Sequence, residues 1–107
     1  MKDTGCIFCN IPDESVILKN ESAFVINDKI PHSKGHVLII PFSHEEDFFN
    51  LTQNEQIGII KLLKETKQFT DNKFTPAAYN ISINNGKEAG QVIMHTHVHL
   101  IPRYNKN

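Results

Sequence analysis

The chain contains no tryptophan, only two cysteines, two methionines and two tyrosines, and no apolar run approaching the roughly 20 residues that cross a bilayer. A membrane span is thereby excluded from the reading. Neither sign of charge dominates, since 11 basic and 12 acidic residues leave a formal net charge of −1. No cationic stripe is available to attract a nucleic-acid backbone or an anionic lipid surface, so any nucleotide ligand must be small and held locally. The opening residues Met1-Lys2-Asp3-Thr4-Gly5 lack the apolar stretch of a signal peptide, which predicts a cytoplasmic protein. In that compartment a lone cysteine pair is expected as thiols or metal ligands and not as a structural disulfide. The five glycines and five prolines are scattered and form no linker, and there is no repeat or low-complexity tract. With 39% hydrophobic and 21% charged residues, the composition is that of a folded globular chain, and residues 1–107 are expected to form a single domain.

Hydrophobic patterning predicts the elements. Ala23-Phe24-Val25-Ile26 reads as a strand ending at Asn27-Asp28, and the loop Lys29 to Gly35 delivers His36 to a continuous apolar strand, Val37-Leu38-Ile39-Ile40, closed by Pro41. Ser43-His44-Glu45-Glu46 has capping-box spacing and predicts a short helix to about Asn50. Thr52-Gln53-Asn54-Glu55 repeats that spacing and opens a long helix to about Phe69, with Ile57, Ile60 and Leu63 on its core face or on a dimer face. Ala78 to Ile83 alternates as a strand does, and Asn84-Asn85-Gly86 and Gly90 mark turns. Strands, then helix, then strands predict an α+β domain, an antiparallel meander sheet packed on one long and one short helix. Its opposite face is left for a ligand or partner.

The most reactive segment is Met94-His95-Thr96-His97-Val98-His99-Leu100-Ile101-Pro102. Alternate side chains of a strand share one face, so three neutral imidazoles would project together, able to take up protons, attack an electrophile or bind metal. Residues of this kind admit two uses: joint coordination of a catalytic metal that activates water, or one nucleophilic histidine positioned by its neighbours. A second constellation is Cys6-Ile7-Phe8-Cys9, whose C-x-x-C thiolates favour zinc but need two further ligands. His32, His36, His44 and one of the three strand histidines are the candidates. His44 stands just after a strand and His95 is nearest the start of the next, so Cys6, Cys9, His44 and His95 are a plausible Cys2His2 set that leaves His97 and His99 free. Bare thiols without metal are the competing reading, and His32 in its loop is read as a solvent residue.

The run from Gly90-Gln91 through His95 to Arg103 resembles the signature of the histidine triad family of nucleotide hydrolases and transferases. Phe24 to Asp28 and Pro31 to Pro41 resemble the family's other motifs, in the same order, so the likeness spans nearly the whole chain. The resemblance implies that His97 is a nucleophile attacking the α-phosphorus of AMP-linked substrates, phosphoramidates or dinucleoside polyphosphates, through a nucleotidyl-histidine intermediate. It implies His99 and His36 as supporting catalytic imidazoles, Asp28 on the ribose hydroxyls, Gln91 on the transferred phosphate and Asn84 lining the phosphate pocket. It further implies a structural zinc on Cys6, Cys9, His44 and His95, a two-fold homodimer, and magnesium only as a companion of a polyphosphate substrate. Two departures stand out. Val92 occupies a place where several branches carry a hydroxyl, and the chain stops at Asn107 with almost nothing of the C-terminal segment that helps select the leaving group in the phosphoramidase branch. A zinc-stabilised nucleotide-binding or partner-binding module without turnover is the non-enzymatic alternative.

Overall fold

The computed structural model describes residues 4–105, so the readings on Met1 to Asp3 and on the chain's end at Asn107 lie outside the described residues. Five strands, β1 (Leu18–Lys19), β2 (Ala23–Asn27), β3 (Val37–Pro41), β4 (Ala78–Ser82) and β5 (Val98–Arg103), form one sheet in the order β1-β2-β3-β5-β4. Every neighbouring pair is antiparallel. The meander is interrupted once. After β3 the chain crosses through the helix α1 (Gln53–Phe74) to the sheet edge, and β5 then returns between β3 and β4.

Strand parity divides the apolar residues between two cores. Ala23, Val25, Val37, Ile39, Val98 and Leu100 face α1 and pack with Ile59 and Leu62. Phe24, Ile26, Leu38 and Ile40 project from the other face and pack on Phe8. The alternation continues along β5, so His99 lies on the face away from the helix. The expected division into a helix face and a site face is therefore the one the sheet adopts.

α1 opens on the capping box foreseen at Thr52, whose hydroxyl accepts from Glu55 N–H at 3.1 Å while the Glu55 carboxylate accepts from Thr52 N–H at 2.7 Å. The other proposed box is not formed. Ser43 donates to the same Glu55 carboxylate, and only a 3-10 turn, Phe48–Asn50, follows, capped by Asp47. α1 also runs past Phe69 to Phe74, because its polar last turn is held from β4 by the Tyr79 hydroxyl, which donates to Asp71 at 2.6 Å. Its buried face comprises Gly58, Ile59, Leu62, Thr66 and Thr70. Of the residues expected in the core or on a dimer face, Ile57 and Ile60 are exposed, whereas Leu63 packs partly on the core.

Gly58 decides that orientation. A Cβ at this position would lie 2.2 Å from Ser22 Oγ and 2.4 Å from Ser22 Cβ, so only glycine lets the helix approach the β1–β2 turn this closely. Alanine ordinarily gains about 0.5–1 kcal/mol over glycine inside a helix. Here Gly58→Ala is expected to lose about 1–3 kcal/mol from overpacking, and urea denaturation checks the sign.

Candidate active site and metal centre

The last strand begins at Val98, so His95 and His97 sit on an irregular approach to β5 and not on the strand itself. The three imidazoles consequently diverge. His95 is fully buried and turns towards the N-terminal knuckle, while His97 and His99 line a cavity of about 820 Å³. Its walls include Asp28, Asn84, Val92 and the apolar side chains of Ile7, Phe8 and Ile26.

Tautomers follow from the fixed partners, because a carbonyl oxygen can only accept. His97 Nδ1 lies 2.8 Å from the His95 carbonyl oxygen, so Nδ1 carries the proton and Nε2 keeps its lone pair. On the other side, His32 N–H donates to His36 Nδ1 at 3.1 Å, which places the His36 proton on Nε2. That nitrogen stands 3.0 Å from His99 Nδ1 and 3.3 Å from an Asp28 carboxylate oxygen. His99 therefore accepts on Nδ1 and retains its own proton on Nε2. Two neighbouring rings, 5.1 Å apart between centroids, thus present complementary atoms, a bare nitrogen on His97 and an N–H on His99.

Burial pushes the pKa of both His36 and His99 below the ordinary imidazole value, outweighing the nearby Asp28 carboxylate, which raises each. For His99 the His97 and His36 rings push further in the same direction. Below an unfolded-state pKa of 6.5 the unfolded chain binds protons that the folded chain refuses. Stability is therefore expected to hold above about pH 6.5 and to decline as pH falls from there through the depressed folded values. Denaturant titrations at successive pH values between 8 and 5 check this, and stability rising on acidification in that range would contradict it.

A different chemistry occupies the other end of the site. Cys6, Cys9, His44 and His95 bring their ligand atoms within 4.8 Å of one another. Cys6 Sγ lies 3.4 Å from His95 Nδ1, and Cys9 Sγ lies 3.2 Å from His44 Nδ1. The His95 proton is held on Nε2 by the Pro41 carbonyl at 2.9 Å, which aims a lone pair at the sulfurs. Burial, the largest influence, raises the Cys6 thiol above its usual pKa, so a cation is what would hold it there as thiolate. Two sulfurs and two imidazole nitrogens suit zinc. Asp28, His36 and His99 also converge, but a proton on His36 Nε2 stands where a metal would need a lone pair. Neither group contains His97, and neither is oxygen-rich as magnesium requires.

Not every residue singled out in the sequence reaches the cavity. Asn84 and Asp28 do, although one Asp28 oxygen accepts from Ile30 N–H and the other faces His36. Gln91 does not. It is 5% exposed, accepts from Gly86 N–H at 2.7 Å and donates to the Glu46 and Ile93 carbonyls at 3.0 and 3.2 Å, so its amide ties a loop together. His32, read as a solvent residue, is exposed yet lines the cavity, and its backbone sets the His36 tautomer. Phe8 was not singled out. It lies between the two cysteines with its ring edge-on to both His95 and His97.

Solved structures share this arrangement of chain. A HIT family protein from Bacillus anthracis superposes with a TM-score of 0.88 at 36% identity, covering 96% of this chain and 76% of that one. A zinc-bound histidine triad family protein from Mycobacterium smegmatis gives a TM-score of 0.85 at 28% identity over 96% of this chain and 78% of the other. Among sequences, an adenosine 5'-monophosphoramidase of Schizosaccharomyces pombe is 31% identical over 95% of this chain and 77% of its own length. An asymmetrical bis(5'-nucleosyl)-tetraphosphatase of the same yeast is 38% identical over 77% of this chain and 44% of its own. The model of the HIT domain matches residues 10–106, and with HIT-family structures superposing over 96% of it, this chain belongs to the HIT family, which includes nucleotide hydrolases.

Proposed function

We propose that residues 1–107 form a single-domain enzyme that cleaves the α-phosphate bond of AMP-linked substrates through a nucleotidyl intermediate on His97. The observation that carries this reading is the proton of His97, held on Nδ1 by the His95 carbonyl, which leaves Nε2 bare at the cavity wall. The similarity to an adenosine 5'-monophosphoramidase supports a phosphoramidate as the first substrate, and the similarity to a dinucleoside tetraphosphatase keeps polyphosphates as the second. In the first step the His97 Nε2–P bond forms while the bond from phosphorus to the leaving nitrogen, protonated from solvent, breaks and releases the neutral amine, with the His99 Nε2–H hydrogen-bonded to a phosphate oxygen. The charge gained by the His97 ring is stabilised at Nδ1 by the carbonyl. In the second step water attacks phosphorus and loses its proton to solvent, and the Nε2–P electron pair returns to His97. His36 keeps the proton of His99 on the useful nitrogen. Asn84 and Asp28 contact phosphate and ribose, Gln91 holds the loop that carries Asn84, and Val92, 88% exposed at the cavity, offers phosphate no hydroxyl.

A zinc ion on Cys6, Cys9, His44 and His95 has a structural role in this reading, tying the knuckle to the approach of β5. Reduced thiolates go with a cytoplasmic location. A two-fold dimer is also part of the proposal: β4 is an edge strand with Ile81 exposed, and Ile57 and Ile60 lie exposed on α1. Incubation with an adenosine phosphoramidate and with a dinucleoside tetraphosphate, an alkaline quench and peptide mass spectrometry test the chemistry. Nucleotide on His97 is the expected result. AMP binding without any adduct would leave a nucleotide-binding module instead.

A further inference from the structure

We infer that Asp28 is a positioning residue as well as a sugar ligand: a ribose cis-diol seated on its carboxylate fixes His99 in the tautomer that presents an N–H to phosphate. The inference rests on the proposed seat of ribose on Asp28 and deepens it, because the sugar then governs the rate as well as the binding. Backbone pairing brings the three groups together. Asp28 follows β2 and His36 precedes β3, where the Asp28 N–H donates to the His36 carbonyl at 3.1 Å and continues the pairing of the two strands, while His99 lies opposite Leu38 on β5. Ligand atoms of Asp28, His36 and His99 consequently converge within 4.8 Å. The His36 side chain is fully buried, whereas those of Asp28 and His99 are 20% and 18% exposed and so remain open to a ligand in the cavity.

One proton here has two acceptors. The His36 Nδ1 lone pair is committed to the His32 N–H, so the single proton of the neutral ring leaves from Nε2. It is directed at His99 Nδ1, 3.0 Å away, while Asp28 Oδ2 stands 3.3 Å from the same nitrogen and 4.0 Å from His99 Nδ1. Two proton arrangements are therefore within reach. In the first, His36 donates to His99, which keeps its own proton on Nε2. In the second, the His99 proton sits on Nδ1 and both rings donate to the carboxylate, so His99 Nε2 is bare and offers a phosphate oxygen no hydrogen. Distance favours the first arrangement, and the greater strength of a hydrogen bond to an ionised acceptor favours the second. Asp28 Oδ1 already accepts from Ile30 N–H at 3.0 Å, which leaves Oδ2 as the oxygen in contention. Hydroxyls of a cis-diol donate to the carboxylate and occupy the lone pairs that the second arrangement needs. Ribose thus binds the first arrangement better and shifts the population towards it, and a sugar without the diol does not.

The test uses the whole zinc-loaded chain and two sugars, ribose and 2',3'-dideoxyribose. Long-range ¹H–¹⁵N imidazole spectra, with His99 assigned by His99→Gln, read the tautomer directly in the presence of the phosphate-free nucleosides. Saturating adenosine is expected to move His99 to the pattern of a ring protonated on Nε2 alone, and dideoxyadenosine to leave the pattern of the free protein. In single turnover at saturating concentration, the dideoxyadenosine phosphoramidate is expected to react about fivefold more slowly than its ribose counterpart, the factor by which a charged acceptor outdoes a neutral one. Asp28→Asn keeps an oxygen for the Ile30 N–H and puts an NH2 where Oδ2 stands, so the two substrates should then react at equal saturating rates. A sugar effect confined to KM in the wild type and lost in Asp28→Asn leaves ribose on Asp28 but overturns its influence on His99. A sugar effect on KM or rate that persists in Asp28→Asn, or a His99 pattern indifferent to adenosine, overturns the inference together with that seat for ribose. A sugar-dependent His99 tautomer in a protein forming no His97 adduct supports the inference and sinks the transfer reading alone.

Discussion

His97→Ala is expected to lower the single-turnover rate of nucleotidyl transfer by roughly 10⁴- to 10⁶-fold, the range seen when a covalent nucleophile is deleted, while AMP affinity stays within a few-fold. The asymmetry follows from where the ring stands. His97 lines one wall of a cavity whose remaining polar contacts come from Asp28, Asn84 and His99, so ground-state binding has other partners. Bond formation to phosphorus has no substitute, because His99 presents an N–H and His36 lies behind it with its Nε2 proton directed at His99. Truncation also removes the hydrogen bond to the His95 carbonyl, which is expected to cost about 1 kcal/mol of stability and to leave the fold intact. Rapid quench with a phosphoramidate gives the rate, calorimetric titration with AMP gives the affinity, and addition of free imidazole should recover part of the lost rate. A residual rate within tenfold of the wild type would remove His97 from the role of nucleophile.

Much of this site was legible because its residues are fixed by short-range periodicity. Parity along β5 separates Val98 and Leu100 from His99, and the same two-residue period in β2 and β3 sends Phe24 and Leu38 to the site face and Val25 and Ile39 to the helix. The Cys6, Cys9, His44 and His95 cluster could be named because C-x-x-C calls for two further ligands, and the family resemblance pointed to His44 and His95 among the candidates. The departures arise where several local signals compete for one partner. The Ser43 hydroxyl turns to the Glu55 carboxylate that Thr52 also engages, away from the box with Glu46, and the expected short helix contracts to a 3-10 turn. Ile57, Ile59 and Ile60 are all apolar, so periodicity alone leaves the angle of α1 open, and a contact between Gly58 and Ser22, distant in sequence, settles it. Gln91 has the chemistry of a phosphate ligand, yet three backbone groups surround it first. Phe8 carried no signal as a residue type, since its importance comes from rings that the fold brings to it from 87 and 89 positions away.

Removing the metal, or a ligand to it, is the second change expected to have a large effect, and here on stability first. With free zinc at roughly 100 to 1,000 times its dissociation constant, a site formed only in the folded chain contributes about 3–4 kcal/mol. For a domain of about 100 residues that corresponds to a fall in Tm of roughly 12 to 30 °C on chelation. The alternative, two bare thiols, predicts no response to chelator at all. Cys9→Ser separates the readings further. Cys9 is buried and its sulfur lies within 3.6 Å of both His44 Nδ1 and His95 Nδ1, so serine replaces the soft ligand most central to the set by a poor one. The variant is expected to match the chelated wild type in Tm and to be insensitive to further chelation, whereas Ser33→Ala, in the loop before β3, should retain the full response. A hydrolase whose zinc sat on His97 would behave in the opposite order, losing turnover at once on chelation with its Tm little changed. Scanning calorimetry and single-turnover rates on the same samples, with and without chelator, distinguish the two, since the structural site ties activity to the fraction of chain that remains folded and correctly packed around the knuckle.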